Sequence, residues 1–251
     1  MPRDKSNQPI AVSKEWLEQR LKVPGWIAKT RERLQSLSWF MKCLKEPLSR
    51  MANREDQTGG AFFEGRFKSI AILDEESLLA CSTYIDLNPV AAGIAQAPET
   101  SEHTSIKERV DHVKTQERTE DLKAAEAGSV AGSKASAGLE EKHWLCPIED
   151  RRRLDSAREG MVEGFSLGSY LLLVEYTGRV FRTGKASISS ELASVFDRLG
   201  SNAETWLSRL EMLRKKHFFG RFFAATRQRL IEVAQRLGLR RVPNDRGCPA
   251  P

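Results

Sequence analysis

The sequence predicts an α+β chain, mostly helical, with one short strand region and a basic helical part at its C-terminal end. Three observations carry that expectation. Apolar residues recur at spacings of three and four behind capping residues over much of the chain. One aromatic and β-branched run, AFFEGRFKSIAIL over residues 61–73, reads as strand. Between Trp206 and Arg241 stand ten basic residues, Arg209, Arg214, Lys215, Lys216, Arg221, Arg227, Arg229, Arg236, Arg240 and Arg241, opposed by Glu211 and Glu232. That segment has a net +8 within a chain of +6, which leaves the remainder close to neutral.

In order along the chain, residues 1–12 are polar and expected to stay disordered. Ser13 is placed to cap a short helix, KEWLEQRLK, that ends before Pro24 and Gly25. These residues, to about 30, form a polar and helical extension. A longer helix is expected from Trp26 to Glu55, with an apolar stripe of Ile27, Leu34, Leu37, Phe40, Met41, Leu44 and Leu48, bent or restarted at Pro47. Asp56 to Gly60 is a turn signal before the strand. Asp74 then caps a helix, EESLLACSTYIDLN, expected to stop at Pro89 because the residue before a proline is disfavoured in the α region, with Gly93 completing the turn. Residues 115–142 are rich in Ala, Gly, Ser, Glu and Lys and almost devoid of large apolar residues, so they read as a linker. From 143 to 251 the pattern is a helical bundle: Ser166 caps LGSYLLLVEYTG, Ser189 or Ser190 caps ELASVFDRLG, Asn202 caps AETWLSRLEMLRKKH, and a last helix runs from Arg221 to Leu237.

Composition narrows the class of protein. With 40% hydrophobic and 29% charged residues the chain is an ordinary globular one. No apolar run is long enough to span a bilayer, and the polar N-terminus lacks a secretory signal, so the expected location is the cytoplasm. Cys43, Cys81, Cys146 and Cys248 are scattered without CxxC spacing, which argues against a zinc site or a disulfide framework and predicts buried free thiols.

The candidate chemistry lies on the helix after Asp74. Tyr84 and Asn88 are four residues apart and share a face. A phenol can attack phosphorus, and an amide oxygen one turn away can help hold a divalent metal. By spacing alone, a core tyrosine is the more common reading. Arg66 and Lys68 alternate with Phe67 on the expected strand, either to contact phosphate or to form a solvated face. In the C-terminal cluster, Phe218, Phe219, Phe222 and Phe223 bracket Gly220 and Arg221. Aromatic residues among cations can stack unpaired bases, although helical spacing favours core packing for most of them.

The run from Gly60 to Ile94 resembles the signature of REP-associated tyrosine transposases, a branch of the single-tyrosine HUH transposases. The matching elements are Gly60, Phe63, Gly65, Arg66, Phe67, Lys68 and Ser69, followed by Tyr84, Ile85, Leu87, Asn88, Pro89, Val90, Ala92 and Gly93. Together with the helix LSWFMKCLKEPLSRMANRED, the resemblance covers residues 31–106 and makes 31–114 the C-terminal part of a catalytic domain. It implies a partial HUH-type, ferredoxin-like sheet, with Tyr84 as nucleophile and Asn88 as third ligand of Mg²⁺ or Mn²⁺. Arg66, Lys68, Arg214, Lys215, Lys216, Arg221, Arg227 and Arg229 then become DNA contacts. It also implies single-stranded DNA with palindromic hairpins as partner, a 5′-phosphotyrosine intermediate, and pairing of two protomers.

One departure outweighs the matches. The family's His-hydrophobic-His motif is missing: His103, His112, His143 and His217 all follow Tyr84, and no two of them are two residues apart. The expectation is therefore an N-terminally truncated copy, or a mispredicted start, that binds no productive metal and does not cleave DNA alone. A non-catalytic DNA-binding protein derived from a transposase is the alternative.

Overall fold

The computed structural model describes residues 11–121, 139–140, 142–152, 159–184, 188–214, 222–224 and 227–239. The chain divides into two compact units, 1–69 and 70–251. Among the described residues no helix is long and apolar enough to cross a membrane.

Among its described residues the first unit contains three helices, α1 (Lys14–Leu21), α2 (Trp26–Leu34) and α3 (Leu37–Glu55). Ser13 caps α1 as expected, accepting from the Trp16 amide at 3.2 Å. The single helix expected from Trp26 to Glu55 is two, because Ser36 takes an extended conformation and its hydroxyl accepts from the Trp39 amide at 3.3 Å. Pro47 neither ends nor restarts α3. The proline removes the donor for the Cys43 carbonyl, and Cys43 is exposed, so water can satisfy that carbonyl.

The turn after α3 returns along the helix. Asn53 donates to the Gly60 carbonyl and Lys45 to the Gly65 carbonyl, each at 3.0 Å, while the Lys45 ammonium stands 4.1 Å from the Phe63 ring centre. The strand expected over 61–73 is not formed: residues 61–70 are bends and coil, and only Ala71–Ile72 is strand, β1. A strand exists only through a partner, and β1 finds one in β4 (Phe222–Phe223), paired in parallel with Ala71 opposite Phe222. No residue of α1, α2 or α3 is fully buried. The apolar stripe of α3 is outward-facing, with Leu37 53% and Phe40 61% exposed.

The second unit has one core. After β1 come α4 (Glu75–Ala91), a 3₁₀ turn (Pro98–Thr100), α5 (Ser105–Thr115), β2 (Glu149–Asp150), β3 (Val162–Glu163), α6 (Leu167–Thr183), α7 (Ser190–Arg198), α8 (Ala203–Arg214) and, after β4, α9 (Arg227–Arg236). Leu79, Leu87, Tyr170, Leu173, Val174, Val195, Phe196, Trp206 and Leu210 form its centre, so helices from both sides of residues 115–142 share it. Ser166, Ser189 and Asn202 cap α6, α7 and α8, accepting from the amides of Ser169, Leu192 and Thr205. At this level the α+β, mostly helical expectation holds, with two short parallel strand pairs among the described residues.

Several boundaries differ from expectation. Helix α4 runs through Pro89 to Ala91, because the carbonyl the proline leaves without a donor belongs to Ile85, whose side chain is 63% exposed. Gly93, with φ of 71°, then allows the Ile94 amide to reach back to the Pro89 carbonyl at 2.9 Å and close the helix. Helix α6 continues past Gly178 to Thr183. A Cβ at Gly178 would stand 3.2 Å from a Leu87 methyl, so the glycine lets α6 lie close on α4. The last helix begins at Arg227 rather than Arg221, since Phe222 and Phe223 are taken by β4. Cys43 and Cys146 are exposed rather than buried, Cys81 is half-buried, and Cys248 lies outside the described residues, as do residues 1–10 and 122–138.

The units also redistribute the charge. Residues 1–69 carry 14 Lys and Arg against 8 Asp and Glu, a net +6, and residues 70–205 carry 15 against 23, a net −8. The near-neutrality of the chain before Trp206 is a cancellation between a basic unit and an acidic stretch.

Candidate functional site

Helix α4 carries the candidate residues, and its start is strongly fixed. Asp74 is the N-cap and accepts from the Ser77 amide at 2.8 Å, while Glu75 and Glu76 follow in the first turn, where the helix dipole favours negative charge. Glu76 forms an ion pair with Arg209 of α8, whose side chain is 2% exposed. The Leu73 amide donates to the Phe223 carbonyl at 2.9 Å and Arg229 Nε to the Leu73 carbonyl at 3.0 Å. The C-terminal basic segment is thus folded onto the beginning of the tyrosine helix.

Along α4, Ser77, Leu79, Ala80, Thr83, Asp86 and Leu87 are buried. Tyr84 is half-buried and its ring packs against the core, whereas Asn88, one turn on, is exposed. Neither side chain is bound to another described residue. The structure therefore keeps Tyr84 and Asn88 on one helix face with their polar ends open, and the tyrosine is neither the satisfied core residue of the common reading nor a free surface group.

Tyr170 shows the contrast. It is fully buried, its hydroxyl donates to Asp86 Oδ2 at 2.6 Å, and burial, then the Asp86 charge, pushes its ionisation well above the usual tyrosine range. Asp86 is the residue that sequence reasoning passed over. It is fully buried and also accepts from Ser105 Oγ at 2.9 Å to both oxygens and from the Ile106 amide at 3.3 Å. This carboxylate joins α4 to the start of α5 and to α6. A signal for it was present: Asp86 stands at the stripe spacing of Leu79, Thr83 and Leu87, where an acid needs partners.

The cationic candidates divide into three groups. Arg66 and Lys68 are exposed and belong to the first unit, in coil rather than strand. Arg214 and Arg227 are exposed, with the Arg214 guanidinium 4.6 Å from the Phe181 ring centre, while Arg229 is half-buried and also pairs with Glu232 at 3.1 Å. Lys215, Lys216 and Arg221, together with Phe218 and Phe219, lie outside the described residues. Phe223 is 2% exposed, so it is core and not a stacking platform.

For a divalent metal, Asn88 offers a single amide oxygen. Among the described residues no group of three or more His, Cys, Asp or Glu side chains gathers where one could hold an ion. Among the described residues, the donors beside Asn88 do not assemble the ligand set that the family resemblance implies. Comparison of the chain with protein-family models, with curated proteins and with solved structures finds no match in any of the three.

Proposed function

We propose that the chain binds single-stranded DNA as the tyrosine-bearing part of a single-tyrosine HUH transposase, and that it does not cleave that DNA by itself. The observation that carries the reading is the placement of Tyr84, half-buried and without a hydrogen-bond partner among the described residues, with Asn88 exposed one turn away. The sequence around it supplies the family likeness, from GRFKS to LNPVAAG. In that reading β1 is a remnant of a HUH-type sheet, and the pairing of two copies belongs to the same expectation.

In the reaction of such an enzyme, the Tyr84 oxygen would bond to phosphorus while the bond from phosphorus to the 3′ oxygen breaks. The released 3′ oxygen takes up a proton, and the 5′ phosphate remains on the tyrosine. Nothing on α4 neutralises the phosphate: the helix carries Glu75, Glu76 and Asp86 and no Lys or Arg. Asn88 is the one residue that the family resemblance assigns to the metal here, and α4 supplies no Lys or Arg to offset the charge in its place. What it does have is a basic unit of net +6 and a basic tail, both suited to gripping a phosphate backbone. The non-catalytic DNA-binding alternative thus describes the working activity of this polypeptide.

A salt titration of binding to a fluorescent single-stranded oligonucleotide tests the reading. Affinity should fall by roughly tenfold or more between about 50 and 200 mM salt, as expected when several phosphates release counterions. An affinity independent of salt, or no binding at low salt, removes it.

A further inference from the structure

The cation–ring contacts of α3 line up in a single row. Ser36 takes an extended conformation and caps α3 at the Trp39 amide, so the chain turns between α2 and α3 and brings Arg33 of α2 onto the Trp39 ring. The guanidinium carbon of Arg33 stands 4.3 Å from that ring centre. Trp39, Lys42 and Lys45 are spaced three apart, which makes them successive neighbours on one side of α3. The Lys42 ammonium is 5.0 Å from the Trp39 ring centre. The loop after α3 returns along this side, where Lys45 donates to the Gly65 carbonyl and stands against Phe63. Phe62 meets Phe63 edge-on, with ring centres 5.1 Å apart, and is 48% exposed. Arg33, Trp39, Lys42, Lys45 and the Phe62–Phe63 pair thus run as cation, ring, cation, cation, ring.

This row is distinct from the apolar stripe of the same helix. Phe40 belongs to that stripe and lies about 100° around the helix from Trp39, on the side away from Lys42. Among the described residues Arg33 and Lys42 have no acidic partner. Glu46, the acid of α3 nearest the row, is tied to Arg50, and Glu64 is exposed beside Phe63. Against those acids stands a unit of net +6, with Arg66 and Lys68 exposed just beyond the loop.

We propose that the row is a track for unpaired nucleotides, with Trp39 and Phe62 stacking on bases and Arg33, Lys42 and Lys45 contacting phosphates. The inference rests on the reading that the chain binds single-stranded DNA, and it assigns the strand to α3 and its returning loop. An aromatic face stacks on any base, and a base offers its own face only when unpaired, so the rings select single strands without selecting sequence. In the free chain Arg33 and Lys42 rest against Trp39. A phosphate oxygen is a stronger partner for either cation than the ring is, so a bound strand draws a cation aside and frees the ring for a base. At 1.5 Å per residue, Trp39 to Lys45 spans about 9 Å, more than the ~3.4 Å occupied by one nucleotide of a stacked strand.

Binding of the full chain to a fluorescent oligodeoxythymidylate, and to the same strand annealed to its complement, reads the track. Trp39→Leu and Phe62→Leu keep apolar bulk and remove the ring, so each should weaken single-strand binding about tenfold and leave duplex binding within about twofold. Lys42→Gln should weaken both and lower the slope of log affinity against log salt by about 0.7 on the single strand. Phe40→Leu should bind as the wild type does. Phe62 is half exposed, so its variant decides the matter if Trp39→Leu loses helical dichroism. Undiminished single-strand affinity in Phe62→Leu, equal losses on single strand and duplex, an unchanged salt slope in Lys42→Gln, or an equal loss in Phe40→Leu overturns the track and leaves the DNA-binding reading standing. Failure of the wild type to bind either DNA overturns that reading, and the track with it.

Discussion

Asp86→Asn changes one oxygen of a buried carboxylate to an amide and leaves its shape intact. The three donors around Asp86, from Tyr170, Ser105 and the Ile106 amide, are matched to a group that only accepts. An asparagine there offers one oxygen and turns an NH₂ toward a donor. A hydrogen bond to a charged group contributes about 1.5–3 kcal/mol, and stranding a buried donor costs about 1–3 kcal/mol more. Asp86→Asn should therefore lower the stability of the second unit by about 2–4 kcal/mol, and Tyr170→Phe by about 1.5–3 kcal/mol. Both changes act on one short bond, so the double variant should cost less than the sum by roughly 1.5 kcal/mol or more. Urea unfolding followed by near-UV dichroism measures all three, with the midpoint of Asp86→Asn displaced by about 1–2 M. Losses that add to within about 0.5 kcal/mol would refute the claim that Asp86 and Tyr170 hold α4 on α6 as a unit.

Two further outcomes follow from the same core. Arg209→Met leaves Glu76 without its buried partner, and equilibrium unfolding should show a loss of about 3–5 kcal/mol. Arg209→Met combined with Glu76→Leu should recover most of it, and a single variant as stable as the wild type would mean that the C-terminal segment does not anchor α4. Burial, followed by the Asp74 charge, pushes the Cys81 thiol up to about 11. A thiol raised in this way is protonated throughout the neutral range, so at about pH 8 only about a thousandth of it is thiolate. Mass-resolved alkylation should therefore label the exposed Cys43 and Cys146 first and Cys81 last, and equal rates would contradict the buried placement of Cys81.

What could be read from the sequence was what depends on neighbours in the chain. Ser13, Asp74, Ser166, Ser189 and Asn202 are caps in the structure because a cap needs only the next three residues. What depends on distant partners could not be read. The run 61–73 has the composition of a strand, yet only the two residues that meet Phe222 and Phe223 become one. Pro47 and Pro89 look like helix ends, but the carbonyls they strand belong to residues on open faces, so α3 and α4 continue. Asp86 reads as an ordinary polar residue until Tyr170, 84 positions away, is seen to donate to it. The candidate site was legible as a pairing of Tyr84 with Asn88 on one helix. That Arg209 of the basic cluster is buried against Glu76 was not, because charge counted along a sequence does not say which cations are spent inside the fold.

The proposed activity of the chain is DNA binding without strand cleavage. It is tested most directly by incubating the full chain, with Mg²⁺ or Mn²⁺, with a labelled single-stranded DNA bearing a palindromic hairpin and resolving it on native and denaturing gels in parallel. The expected result is a salt-sensitive shift on the native gel and, on the denaturing gel, intact DNA with no covalent protein–DNA band. A covalent band that disappears in Tyr84→Phe would contradict the claim that this chain cannot cleave, and the absence of any native shift at low salt would contradict the claim that it binds.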